Sequence, residues 1–201
     1  MKIRNDSIMT TWTQSLEYLI DCQDVVPTER NLDTYEIRNA VLEIEKPLKG
    51  RDKLLAFEKK RGKYVNYWKN VDEKLKKFPK TSIAQLDIIT EKLNISPYNR
   101  HGYASIWNPS VDLKKPYPSC IIGIYFMVRD EKLNMTAMLR SNDAWGQALN
   151  DMYELVKLQE RIAMKLQFEV GIYTHFAISY HLYTKDYMDA QLYLKEYHNG
   201  K

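Results

Sequence analysis

Residues 171–183 constrain the fold most, because their residue types alternate over the length of one long strand. One face of this predicted strand carries Ile172, Phe176, Ile178 and Leu182. The other face carries Tyr173, His175, Ser179, His181 and Tyr183. A polar strand face that contains histidines is typical of a strand that lines a site. The longest amphipathic helix, predicted at residues 148–167, directly precedes this strand, so helices and long strands must pack together.

The rest of the chain predicts a further mixture of helices and strands. Ser82 and Gln85 form a capping box that begins a helix. Residues 120–128 and 133–139 flank a short polar turn and predict a β-hairpin. The other predicted elements are a helix carried by Ile8, Trp12, Leu16 and Leu19 and closed by Pro27, a strand at 35–45, a helical segment at 51–78, a strand at 102–107 and a last helix at 185–197. We therefore expect one α+β domain over residues 1–201.

Composition excludes several classes of protein. Cys22 and Cys120 are too few for a disulfide framework, and no Cys, His or carboxylate pair has metal-ligand spacing. The longest apolar run, at 120–128, is too short to cross a bilayer, and no signal-peptide core follows the start, so we expect a cytoplasmic protein. Residues 46–80 hold 13 Lys/Arg and 4 Asp/Glu. A nucleic-acid surface there is the least favoured interpretation, because aromatic residues at stacking spacing are missing.

The candidate catalytic and binding residues are one cysteine and the arginines and serine placed around it. Cys120 stands at the start of a predicted strand, Arg140-Ser141 ends the partner strand, and Arg100 precedes another strand. Cationic neighbours favour the thiolate form of a cysteine, which attacks electrophilic carbons. Arginines with a serine hydroxyl form a phosphate cradle. The alternative is a buried apolar cysteine beside surface ion pairs.

The spacing of these motifs resembles the thymidylate synthase superfamily. Tyr-Pro-Ser-Cys ends at Cys120, and Arg-Ser-Asn-Asp begins at Arg140, twenty residues later. Pro-Tyr-Asn-Arg ends at Arg100, and His-Leu-Tyr ends at Tyr183. The resemblance implies a thymidylate synthase-like α+β fold, a large curved mixed sheet packed by helices. It also implies a homodimer, a pyrimidine deoxynucleotide monophosphate substrate and 5,10-methylenetetrahydrofolate as cofactor.

The resemblance also implies a role for each matching residue. These roles are the nucleophile for Cys120; phosphate binding for Arg30, Arg140, Ser141 and, across the dimer, Arg100; sugar binding for His181 and Tyr183; base binding for Asp151; and contact with the pterin of the cofactor for Asp143. Asp143 has an equally favoured alternative as the cap of the turn that follows it. His175 is expected to be structural, Trp107 and Trp145 to belong to the core, and Cys22 to be buried.

The residue eleven positions after Arg140 reads the base in this superfamily, and here it is Asp151. A carboxyl group is complementary to cytosine, because it accepts from the 4-amino group and, when protonated, donates to the ring nitrogen. The sequence therefore most resembles the phage deoxycytidylate (dCMP) hydroxymethylases, and a phage protein would work in the host cytoplasm. A gap of one residue would instead place Asn150 at the base and favour uracil.

Three features depart from the superfamily. The position of its catalytic glutamate falls on Ala56, so we name Glu58 as the candidate general acid, with a solvated helix residue as the alternative. The segment at 46–80 is short and basic, and the C-terminal folate lid is expected to be missing.

The sequence leaves three functions open. The first is dCMP hydroxymethylation through a Cys120 adduct. The second is a thymidylate synthase that acts on dUMP, and the third is a nucleotide-binding partner subunit without catalytic activity.

Overall fold

The computed structural model describes residues 1–22, 24–62 and 84–200. Its elements in chain order are β1 (Lys2–Asn5), α1 (Ile8–Ile20), β2 (Val25–Pro27), β3 (Asp33–Ile44), α2 (Arg51–Lys60), α3 (Gln85–Ile95), β4 (Tyr103–Ser105), α4 (Pro109–Asp112), β5 (Ile121–Arg129), β6 (Lys132–Asp143), α5 (Ala148–Leu166), β7 (Glu169–Tyr183), a 3-10 turn (Thr184–Asp186) and α6 (Tyr187–Asn199). None of the described helices is long and apolar enough to cross a membrane.

The described strands form one mixed sheet of seven strands in the order β1-β3-β7-β6-β5-β4, with β2 paired to β3. β1 runs parallel to β3 and β6 parallel to β7, whereas the other neighbours are antiparallel. A large mixed sheet with packed helices is the predicted α+β architecture, and this expectation is confirmed.

The core lies between the sheet and a helical layer. α1 and α5 contact each other, α1 packs on β1 and β3, and α5 packs on β6 and β7. The helix side of the sheet is buried, with Leu42, Leu139 and Ala177 fully enclosed. The alternate side chains point the other way; Ile178 there is 45% exposed and Phe176 is half-buried. That second face is therefore partly apolar.

The hairpin prediction is confirmed at residue level. β5 and β6 are joined by Asp130 and Glu131, which both have positive φ angles (51° and 56°), as a tight two-residue hairpin turn requires. The capping-box prediction fails in its described part. Gln85 does not fold back on its own helix, because its side chain donates to the Ser105 carbonyl oxygen and accepts from the Ser105 N–H. Ser82 lies outside the described residues.

The predicted polar face of β7 is not one continuous surface. Tyr173 and His175 are completely buried, whereas Ser179, His181 and Tyr183 line a cavity. The buried positions change from odd-numbered residues, up to Ala177, to even-numbered ones from Tyr180. The change occurs opposite Asn39 of β3, which has a φ of +54° and no partner in the ladder. The register of β3 with β7 is the same on both sides of this point, and residue periodicity does not reveal the change in burial.

Candidate active site

One cavity of about 670 Å³ opens where several strand ends meet. The loop between β2 and β3, the start of β5, the ends of β6 and β7 and the first turns of α5 form its walls. This volume is in the range that binds small molecules. Its polar lining consists of Thr28, Glu29, Arg30, Thr34, Glu36, Ser119, Cys120, Arg140, Ser141, Asn142, Asp143, Gln147, Asp151, Glu154, Ser179, His181 and Tyr183.

Cys120 is exposed at this cavity, and Arg140 organises the chain around it. The Arg140 guanidinium donates to the carbonyl oxygens of Pro118 (2.8 Å) and Ser119 (3.1 Å). The Ser141 hydroxyl donates to the Cys120 Sγ at 3.7 Å. The alternative of a buried apolar cysteine is therefore wrong, and an accessible thiol stands next to a fixed positive charge.

Arg30 brings a second positive charge to the same cavity from the loop between β2 and β3. Its guanidinium lies over the ring of Tyr117, 4.9 Å from the centroid, and 3.6 Å from Glu29. Arg30, Arg140 and Ser141 thus form one wall that offers guanidinium and hydroxyl donors. Such a wall suits a phosphate group.

Arg100 does not line this cavity. It is exposed just before β4, and its carbonyl oxygen accepts from the Tyr125 hydroxyl at 3.1 Å. Tyr125 lies half-buried on the second face of the sheet. Arg100 is therefore beside that face and away from the cavity.

His181 and Tyr183 line the cavity from the end of β7, and their rings meet edge to face with centroids 5.2 Å apart. Burial lowers the pKa of His181, so its imidazole is neutral near pH 7. Burial also raises the pKa of Tyr183, which keeps its hydroxyl protonated. Both groups can therefore give and accept hydrogen bonds with a ligand hydroxyl.

Asp151 lines the cavity, whereas the neighbouring Asn150 is completely buried and does not. Asn142 donates to the Asp151 Oδ2 at 2.7 Å. Burial raises the pKa of Asp151 to about 7, and the charges of Asp143 and Glu58 raise it further, while the Asn142 hydrogen bond opposes the rise. Near neutral pH the side chain is therefore a mixture of carboxylic acid and carboxylate, and only the acid can donate a hydrogen bond.

Glu58 is 1% exposed, so the alternative of a solvated helix residue is wrong. Its carboxylate accepts from Arg61 at 2.6 Å, and its charge acts on Asp151. Arg61 in turn donates to the Trp145 carbonyl oxygen and stacks on the Trp145 ring, 4.0 Å from the centroid. The polar composition of residues 58–61 predicts an exposed helix face, but Glu58 and Arg61 face inward and form an ion pair with each other.

Asp143 caps the turn that follows it, as the alternative for this residue predicted. Its Oδ1 accepts from the backbone N–H groups of Trp145 (3.2 Å) and Gly146 (2.9 Å). A Cβ on residue 146 would lie 2.3 Å from the Asp143 Oδ2, so a larger residue there would displace the Asp143 carboxylate. Within the described part of the chain, Oδ2 has no hydrogen-bond partner, which leaves it able to accept from a ligand at the cavity. The geometry thus fits the implied pterin contact.

Three other expectations concern residues around the site. Trp145 is buried, in agreement with a core position. Trp107 is only half-buried, and its indole donates to the Ser119 carbonyl oxygen at 2.8 Å, so it supports the Cys120 loop from outside the core. Cys22 is half-buried rather than buried.

Sequence reasoning missed Glu36, which accepts from Ser179 at the cavity wall. It also missed Asn142, which the Arg-Ser-Asn-Asp motif contains without distinguishing it. No group of three or more His, Cys, Asp or Glu side chains suited to a metal ion occurs among residues 1–22, 24–62 and 84–200.

Comparison with known proteins gives one consistent family. The sequence model described as thymidylate synthase matches residues 31–200. A protein of Methanocaldococcus jannaschii named "Putative thymidylate synthase" is 32% identical over 97% of this chain and 95% of its own length. A protein of the same name from Methanosarcina mazei is 30% identical over 92% of this chain and 90% of its own length. The "Deoxyuridylate hydroxymethyltransferase" of Bacillus phage SP01 is 30% identical over 63% of this chain and 33% of its own length.

Proposed function

Because this chain belongs to the thymidylate synthase family, whose members transfer a one-carbon unit to a pyrimidine nucleotide, we propose that it hydroxymethylates dCMP at carbon 5 through a Cys120 adduct. The single observation that carries the choice of dCMP is Asp151, which lies at the cavity and has its pKa raised to about 7. The close relatives that were compared are mainly archaeal, so a phage origin of this chain has no support from them.

The cavity has a place for each part of the nucleotide. Arg30, Arg140 and Ser141 supply donors for the phosphate at one wall. His181 and Tyr183, at the end of β7, would bind the sugar hydroxyl. Asp151 faces the remaining space from the first turn of α5, where a cytosine ring would meet its carboxyl group.

Cys120 supplies the nucleophile in this scheme. Its sulfur forms a bond to carbon 6 of the ring, and the electron pair of the 5,6 double bond moves to carbon 5. Carbon 5 would then bond to the one-carbon unit of the donor, whose nitrogen would leave with the bonding electron pair as carbon 5 loses its proton. Water would add its oxygen to the transferred carbon and release a proton, and the Cys120 thiolate would leave carbon 6 as the 5,6 double bond re-forms. The exposed position of Cys120 beside Ser141 supports this role.

Glu58 is the proposed general acid; it does not line the cavity, and its charge acts on Asp151, which does. Its burial and its ion pair with Arg61 hold it in one position, which a proton-transferring group requires. Methylenetetrahydrofolate is the family's usual one-carbon donor, and it supplies the electrophilic carbon. Asp143 is the residue of this chain that would hold its pterin, through the Oδ2, which has no hydrogen-bond partner among the residues that the structure describes.

A homodimer accompanies this function in our proposal. Ile178 and Phe176 give the second face of the sheet an apolar character, and Arg100 stands beside that face away from its own cavity. Packing two such faces together would bury these side chains and bring Arg100 to the partner's phosphate.

The alternative substrate is dUMP. Two observations favour it: the names of the archaeal and phage relatives, and the ability of a protonated carboxyl group to pair with uracil when its proton is free to change oxygen.

Mass spectrometry of products tests the choice directly. Purified protein is incubated with methylenetetrahydrofolate and an equimolar mixture of dCMP and dUMP. We expect 5-hydroxymethyl-dCMP from the native chain and a shift towards a dUMP product in Asp151→Asn, whose amide can donate to the 4-keto group. A dUMP product from the native chain would replace the dCMP proposal by the alternative, and no product with either base would favour the partner-subunit function.

A further inference from the structure

A buried chain of hydrogen bonds leads from β7 to Asp151. The Tyr173 hydroxyl lies 2.8 Å from the His175 Nδ1, the His175 Nε2 lies 2.9 Å from the Asn142 Oδ1, and the Asn142 Nδ2 lies 2.7 Å from the Asp151 Oδ2. The first three members are at most 1% exposed. None of them touches the base in the proposed function, so their arrangement calls for another explanation.

The direction of this chain follows from its first member. In the described part of the molecule, His175 is the only hydrogen-bond partner of the Tyr173 hydroxyl, so the hydroxyl must donate to Nδ1 or leave its hydrogen unpaired in the core. Burial lowers the pKa of His175 to about 3, so the ring is neutral and carries its one hydrogen on Nε2. That hydrogen goes to the Asn142 Oδ1, and the Asn142 amide is then oriented to donate to Asp151.

The consequence for Asp151 is a fixed order of donor and acceptor. Its Oδ2 always receives a hydrogen from Asn142, and the hydroxyl oxygen of a carboxylic acid is a poorer acceptor than the carbonyl oxygen. The proton that Asp151 binds therefore resides on Oδ1. Asp143 and Glu58 also face Asp151, and their charges affect how strongly it holds this proton but not which oxygen carries it.

We propose that Tyr173, His175 and Asn142 are positioning residues that give Asp151 its discrimination between cytosine and uracil. A carboxylic acid with a mobile proton can pair with either base, because it reverses its donor and acceptor by moving the proton. Cytosine presents donor and then acceptor at its 4-amino group and ring nitrogen, whereas uracil presents the opposite order. A carboxyl group with a fixed proton is complementary to one of them only. The choice of cytosine as this base rests on the function proposed above. The inference that the hydrogen-bond chain creates the discrimination does not depend on that function.

Two tyrosines on β7 provide a matched test. Tyr173 and Tyr180 are both completely buried, and among the described residues each hydroxyl has one partner, His175 for Tyr173 and Ser15 of α1 for Tyr180. Tyr173→Phe removes the group that sets the direction of the hydrogen-bond chain, and Tyr180→Phe removes an equivalent buried bond, to Ser15, that is not a member of it. Asn142→Leu removes the contact with Asp151 itself.

The measurement is the ratio of dissociation constants for dCMP and dUMP by calorimetry, from about pH 5.5 to about pH 8.5. We expect Tyr173→Phe and Asn142→Leu to reduce a preference of at least roughly tenfold to below about threefold, and Tyr180→Phe to leave it unchanged. In Asn142→Leu the pH midpoint of the ratio moves upward, since the lost hydrogen bond favours the carboxylate.

Each outcome separates the two proposals. If the native chain prefers dUMP and both variants lose that preference, the positioning role stands and the dCMP proposal fails. If Tyr173→Phe folds and keeps the native ratio and midpoint, the positioning role is overturned whichever base is preferred. Equal losses in Tyr173→Phe and Tyr180→Phe would also overturn it, because they would reveal only a general loosening of β7.

Discussion

The backbone N–H of Arg140 donates to the carbonyl oxygen of Cys120 over 2.8 Å. The proposed phosphate ligand and the proposed nucleophile are thus neighbours on paired strands, and the Arg140 side chain also fixes the loop that leads to Cys120. The same residue, Arg140, is therefore proposed to bind the phosphate and also holds the backbone that positions the Cys120 thiol.

Loss of the Arg140 side chain is expected to weaken nucleotide binding. Arg140→Ala removes a charged donor from the phosphate wall, which costs about 1.5–3 kcal/mol of binding free energy. Calorimetry with dCMP and with deoxycytidine measures the effect, and Arg129→Ala, at the far end of β5, is the control. Equal affinity of the native chain for nucleotide and nucleoside would contradict the phosphate assignment.

Cys120 is expected to form a covalent adduct with a 5-fluorinated pyrimidine deoxynucleotide in the presence of the one-carbon donor, because fluorine at carbon 5 blocks the final elimination. Intact-protein mass spectrometry detects the added mass. Cys120→Ser should lose both adduct and activity, whereas Cys22→Ser should keep both. Full activity in Cys120→Ser would refute the nucleophile.

The preference for dCMP over dUMP is expected to depend on pH. Only protonated Asp151 can donate to the cytosine ring nitrogen, so the preference should be greatest below its pKa of about 7 and decline as the pH rises through that value. The ratio of the two affinities cancels the ionisation of the phosphate, which both nucleotides share. Asn150→Ser, one residue away in the core, should leave the profile unaltered, and a flat profile in the native chain would count against Asp151.

Asp151→Asn is expected to stabilise the folded chain at alkaline pH. The folded pKa of Asp151 is raised from 3.8 to about 7, so the folded state binds the proton more tightly, and stability is lost as the pH rises from about 4 to about 7. The substitution should raise the unfolding free energy by about 1–3 kcal/mol at about pH 8 relative to about pH 5, less than the full shift because the side chain opens onto the cavity. Urea titrations of both proteins measure this. Since His175 is common to both, its own titration cancels from the difference, and an equal effect at both pH values would argue against a protonated Asp151.

The protein is expected to be a dimer at micromolar concentration. Ile178→Asp places a charge on the apolar second face of the sheet and should yield monomers by light scattering. Met164→Asp, on a methionine of α5 that is 74% exposed, is the control. A native monomer with intact nucleotide affinity would contradict both the dimer and the role of Arg100.

The sequence by itself determined the α+β class, the hairpin at Asp130-Glu131 and the grouping of Cys120, Arg140 and Ser141. These depend on local periodicity, on turn chemistry and on spacing along two paired strands. The end of α5 was also close, at Leu166 where 167 was predicted, whereas α1 ends at Ile20 and Pro27, which was predicted to close it, lies in β2.

Only the tertiary structure decided three other matters. Glu58 belongs to a run that reads as a solvated helix face, and its burial depends on Arg61 and on packing against residues far away in the chain. His175 and His181 share one face by periodicity, yet the alternation of buried residues changes between Ala177 and Tyr180, so the first lies in the core and the second at the cavity. Asp151 and Asn150 are adjacent in sequence, and the packing of α5 on the sheet places Asp151 at the cavity and Asn150 in the core. Each outcome depends on contacts between distant segments, and the residue types of a single segment carry no record of those contacts.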